Sequence, residues 1–114
     1  FCFTCVKWVK GGREWENHCS EHLWNLDDPF CGYVTRRGLV VAAARCPFCL
    51  GDTAITPSRR FNQFIDPHTY HNHIDMHIKR MFDRNIRCPF PLCDDRFRSK
   101  DDFKEHLRHC HGMF

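Results

Sequence analysis

No stretch of 18 consecutive apolar residues occurs anywhere in the 114-residue chain, so no segment is suited to span a membrane and no membrane partner is expected. No glycine-rich loop able to cradle phosphate stands out, and no Ser/His/Asp set does either. Neither an enzyme nor a small-molecule substrate is therefore expected. An excess of one charge is also missing: 17 Lys and Arg oppose 14 Asp and Glu, a net of +3 that is modest for a nucleic-acid binder. An initiator Met is absent, and the expectation is a piece of a larger protein whose targeting signals lie elsewhere.

What the chain has in excess is metal-binding chemistry, with nine Cys and nine His. A secreted disulfide scaffold is the plain alternative, but the odd number of cysteines and the spacing of the histidines argue against it. Reduced thiols used as ligands imply a reducing compartment, cytosol or nucleus. Two thiolates cancel one Zn²⁺, so loading two-Cys, two-His sites would leave the net charge as it is.

Three ligand sets follow one another. In the first, Cys2-x2-Cys5 precedes His18-x3-His22. Cysteines two residues apart suit a hairpin turn, and histidines four apart share one helix face. Val9 and Trp15, six apart, supply a small apolar contact between the two pairs. The last set repeats the layout as Cys88-x4-Cys93-x12-His106, with Phe97 and Phe103 again six apart. The middle set, Cys46, Cys49, His73 and His77, keeps Phe64 and Tyr70 at the same offsets, but 11 extra residues, including the turn-forming "GDTAITPSRR", lie between Cys49 and Phe64. Asp66 and Pro67 read as the cap and first residue of its helix. His68 and His71 fall off the ligand face of that helix and read as solvent-facing, Cys19 points elsewhere on its own helix, and Cys31 reads as a small buried hydrophobe. Units this small cannot fold on apolar area alone, so metal binding must supply folding free energy.

The last set leaves its fourth ligand open, because His109, Cys110 and His111 are adjacent. Cys110 lies four residues after His106, in helical register, and would give a Cys₃His site. His111 lies five after it and needs a widened last turn, which Gly112 could close.

All three sets resemble the C₂H₂ zinc finger, C-x2-4-C-x12-H-x3-5-H with two inner apolar positions. The inserted second finger and the irregular links resemble those scattered in fungal multi-domain proteins. The resemblance implies a small zinc-stabilised α+β fold of three ββα fingers and three Zn²⁺ per chain. Finger one would span residues 1–24, finger two 46–79 and finger three 88–114, with a connector over 25–45 and a basic linker over 80–87. The family's ending "HLxxxHG" matches "HLRHCHG" and favours His111 as the fourth ligand. The ligand sets it implies are Cys2, Cys5, His18 and His22; Cys46, Cys49, His73 and His77; and Cys88, Cys93, His106 and His111.

Within the connector, apolar runs on both sides of "TRRG" predict a β-hairpin with its turn near Gly38. Its second strand is expected to extend the second finger's sheet, with Trp24, Leu26 and Phe30 packed against it, making one compact unit.

The resemblance also implies nuclear DNA binding, and here the residues pull in two directions. Base-reading positions carried over from the family fall on Gly11, Glu14, Asn17, Asp66, Thr69, Asn72, Ser99, Asp102 and Glu105, without one Arg or Lys. The links, of 23 and 10 residues, lack the short linker of groove-tracking fingers. Yet residues 78–87 alone carry +3, from Lys79, Arg80, Arg84 and Arg87 against Asp83. Those four, with Arg96, Arg98 and Lys100, are the candidate phosphate contacts. The competing expectation is a protein partner, bound through Trp8, Trp24, Phe82 and Phe114.

Overall fold

The computed structural model describes residues 1–2, 4–26, 30–32, 34–37, 39–81 and 85–113, with backbone alone at 35 and 39–42. Three helices of 12 or 13 residues carry the histidines: α1 Arg13–Trp24, α4 Pro67–Lys79 and α5 Lys100–His111. Two short helices, α2 Pro47–Gly51 and α3 Pro57–Arg60, occupy the middle of the chain. The strands are β1 Val34–Arg36, β2 Leu39–Ala42, β3 Ile86–Arg87 and β4 Arg96–Phe97.

Each long helix starts and stops for local reasons. Asp66 caps α4, its carboxylate accepting from the Thr69 N–H and hydroxyl, with Pro67 in the first turn where no N–H is needed. Tyr70, Ile74 and Ile78, four residues apart, form its buried stripe. Ser99 caps α5 by accepting from the Asp102 N–H. Asp101 and Asp102 lie in its first turn and Arg108 in its last, as the helix dipole favours. Gly112 ends the helix at φ +62°, a left-handed conformation that costs a glycine little. The start of α1 is weaker, because Gly12 offers no side-chain cap.

Only the third unit builds a hairpin ahead of its helix among the described residues, with Ile86 paired to Phe97 and Arg87 to Arg96. The regular ββα layout expected for the other two is not seen among the described residues. In the first, the described residues show a bridge between Cys2 and Lys7, around a turn that holds Val6 at φ +56°. In the second, Pro47 follows Cys46, lacks an N–H for a ladder and fits the first turn of a helix. The Cys46 sulfur therefore caps α2 by accepting from the Cys49 N–H, and no hairpin forms there.

The connector hairpin is present as β1 and β2, antiparallel with an irregularity at Val34/Thr35. Gly38, its expected turn residue, lies outside the described residues. The pair stands as its own two-stranded sheet instead of extending that of the second unit. The chain then makes one bridge, Ala44 to Phe64, which closes the base of the inserted segment. Leu26 is buried, but Trp24 is 86% exposed and does not pack as expected.

A single core runs through all three units. Tyr70, fully buried on α4, directs its hydroxyl at the carbonyls of Arg45 (3.0 Å) and Cys31 (3.3 Å). The Cys31 and Gly32 N–H groups both donate to the His111 carbonyl, at 2.7 and 3.3 Å. Segment 30–32 thus ties the middle helix to the end of the last one. Gly51 sits so close to the Pro89 carbonyl that no side chain would fit between them. The radius of gyration, 14.3 Å, is near the roughly 13 Å typical of one compact domain of this length.

Candidate metal centres

Each ligand set comes together as a four-donor cluster: Cys2, Cys5, His18 and His22; Cys46, Cys49, His73 and His77; Cys88, Cys93, His106 and His111. Within each cluster, one donor atom per residue lies within 4.8 Å of the others. The sulfurs come from a knuckle or turn and the imidazoles from the face of a long helix.

The distances test the fit to zinc. A tetrahedral Zn²⁺ with ordinary bond lengths puts nitrogens about 3.3 Å apart and sulfur about 3.5 Å from nitrogen. The paired Nε2 atoms are 3.2 Å apart in all three clusters. In the first, Cys2 Sγ lies 3.4 Å from His22 Nε2, and Cys5 Sγ 3.4 Å from His18 Nε2. In the second, Cys49 Sγ lies 3.3 Å from His73 Nε2 and 3.7 Å from His77 Nε2. In the third, Cys88 Sγ is 3.2 Å from His111 Nε2 and Cys93 Sγ 3.4 Å from His106 Nε2. These are the edges of a tetrahedron sized for zinc, and four protein donors leave it closed.

Three neighbouring residues, His109, Cys110 and His111, competed for the last position of the third cluster, and geometry separates them. His111 is 1% exposed and faces Cys88 and His106. His109 is exposed and lies 3.2 Å from the Glu105 carboxylate, and Cys110 is exposed as well. The N–H groups of Gly112 and Met113 both donate to the Leu107 carbonyl. That closure widens the last turn, which brings a residue five after His106 onto the ligand face.

Burial acts oppositely on the thiols and the imidazoles of the clusters. In the metal-free chain, burial pushes the Cys88 thiol up to about 12. Burial also raises Cys46, whose hydrogen bond to Cys49, with those from His73 and His77, holds Cys49 low. Burial, then the neighbouring imidazole, lowers His22 and His106 below 6.5. Neutral imidazoles are what a metal needs, while the raised thiols must shed protons to bind it. Asp95 adds an outer partner, its carboxylate 3.5 Å from His106 Nδ1. The sequence carried no signal for that contact, since only the β3–β4 hairpin brings Asp95 over the helix.

The remaining candidates stay outside the clusters. Cys19 is buried on α1 with its thiol raised to about 11 by burial, and Cys31 is buried in the connector. His68 is exposed, whereas His71 is half-buried against the Tyr70 ring instead of facing solvent. Lys79 and Arg80, at the end of α4, are exposed. Arg87, Arg96 and Arg98 are exposed on or beside the β3–β4 hairpin, and Lys100 is half-buried at the start of α5. Arg87 already binds Asp94 at 2.8 Å. Arg84, Phe82 and Phe114 lie outside the described residues.

Comparison with family models, with curated proteins and with solved structures returned no match. What the donors themselves carry is three Cys₂His₂ clusters able to hold zinc in a small α+β fold.

Proposed function

We propose that the chain is a non-enzymatic module of three C₂H₂-like zinc fingers, part of a larger nuclear protein, that binds nucleic acid through its phosphate backbone. DNA is favoured over RNA by the resemblance to the finger family. The observation that carries the reading is a set of exposed cations at the end of α4 and on the β3–β4 hairpin. Lys79 and Arg80 end α4, and Arg96 and Arg98 flank the half-buried Phe97 on β4, which puts them on the outer face of the strand. Base reading is not part of the proposal. Asp66 and Ser99 are engaged as helix caps, Asn72 meets His68, and Glu105 holds Arg108 and His109. A catalytic role is not proposed either, because each zinc would have four protein ligands and no open position.

A mobility-shift titration with mixed-sequence duplex against salt tests this. Four neutralised phosphates give a log–log slope of about −3.6, at about −0.9 per contact. Replacing Lys79, Arg80, Arg96 and Arg98 by Gln should flatten the slope and weaken binding alike across unrelated sequences. Undiminished binding by that variant would discard the proposed surface.

A protein partner is the second reading, favoured by Trp8 and Trp24, each 86% exposed. No DNA binding by the parent even at low salt would move the assignment to that reading.

A further inference from the structure

In each cluster an aromatic ring lies against the second histidine, and the source of that ring differs in the first. Phe48 stacks on His77 with centroids 4.7 Å apart and planes 6° apart. Phe90 packs on His111 at 5.0 Å. Phe48 and Phe90 occupy equivalent places, two residues after the first cysteine of their own sets. The corresponding position in the first set is Thr4, which is exposed and has no ring to give.

His22 nonetheless has a stacked partner. Phe61 lies 4.8 Å from it with planes 6° apart, nearly the geometry of Phe48 on His77. Phe61 comes from the segment inserted in the second unit, and it is 1% exposed. The insertion is held on both sides. Glu16 on α1 accepts from the Ser58 N–H at 2.9 Å and from the Ser58 hydroxyl. The Arg60 guanidinium donates to the Leu50 carbonyl at 3.2 and 2.7 Å, tying α3 back to α2. The Phe61 N–H donates to the Pro57 carbonyl at 2.9 Å, which fixes where the ring leaves α3.

We infer that Phe61 is a positioning residue of the first metal site, supplied by the second unit's insertion to replace the ring that Thr4 does not provide. The flat stack fixes the orientation of the His22 imidazole, and so the direction of Nε2 towards Cys2 and His18, and shields it from water. The first site is then incomplete until the second unit has folded, which gives the extra residues between Cys49 and Phe64 a function. The inference rests on zinc filling the three clusters and is independent of nucleic-acid binding.

The test loads the full chain with ¹¹³Cd and follows one resonance per site, assigned through couplings to the cysteine β protons, during competition with a chelator. Phe61→Ala removes the ring, and Phe61→Leu removes it while keeping most of the buried apolar volume. Outer-shell partners of metal ligands are worth about 10- to 100-fold in affinity. Both variants should weaken the first site by that factor and leave the second and third unchanged. A first site in Phe61→Leu as tight as in the parent would overturn the inference, since apolar filling alone would then suffice. Equal weakening of all three sites by Phe61→Leu would also overturn it, making Phe61 a general core residue. A parent chain lacking a first-site resonance would instead refute the three-site zinc reading, and the inference with it.

Discussion

His109, Cys110 and His111 differ less in chemistry than in direction. A residue four after His106 keeps the regular helix, so Cys110 had the better register on paper. The Gly112 and Met113 N–H groups, closing on Leu107, open the turn enough to prefer His111. In the cobalt-loaded chain, Cys110→Ser should leave the thiolate charge-transfer band and the affinity unchanged. His111→Ala removes a ligand, and should cost more than the about 10- to 100-fold typical of an outer-shell partner. Loss of thiolate intensity in Cys110→Ser would mean a Cys₃His site. The buried imidazoles also set a direction with pH. His22 and His106 are held below the ordinary value of 6.5, so the unfolded chain takes up their protons first. Their contribution is complete above 6.5 and is lost as pH falls from there towards the depressed folded values. Proton competition for the thiolates has the same sign. The thermal midpoint of the zinc-loaded chain should therefore fall as pH drops below 6.5, where protons compete with zinc for imidazole and thiolate, and a midpoint flat across that window would contradict ligation by these groups.

Among the helices, α5 and α1 have equal length but different local support. Ser99→Ala should cost α5 about 1 kcal/mol, the usual worth of such a cap, measured by denaturant unfolding of the zinc-loaded chain. A change indistinguishable from zero would mean the cap is not formed in solution. The ligand helices were legible in the sequence because their signals are local: a two-residue cysteine spacing, histidines one turn apart, Asp66 before Pro67 and Gly112 at the end. The strands were less so. Cys2 and Cys5 predict a hairpin, and the described residues show one bridge there, between Cys2 and Lys7. The Cys46 knuckle turns into a helix because Pro47 suits its first turn, which the spacing of ligands does not reveal. Least legible were contacts between elements, within a unit or across two. Phe61 on His22, Asp95 on His106 and Glu16 on Ser58 join residues whose separation in the chain carries no periodic signal.

Taken whole, the molecule is three four-donor clusters able to hold zinc, sharing one core. If each cluster holds a zinc ion, native mass spectrometry should find three per chain, and two at saturation would exclude one cluster. Chelation and heat should also unfold the chain in one transition, because Tyr70, segment 30–32 and Gly51 each bridge units. Separate transitions for separate units would show that these bridges are weak in solution. The bond from Cys31 to the His111 carbonyl carries a further consequence, for the order of events during synthesis. Its two ends leave the ribosome at different times, since residue 111 is made well after residue 31. The Cys31 and Gly32 N–H groups therefore have no His111 carbonyl to donate to until α5 emerges. A nascent chain stalled before that helix should exchange these two amide hydrogens quickly, and the finished protein slowly.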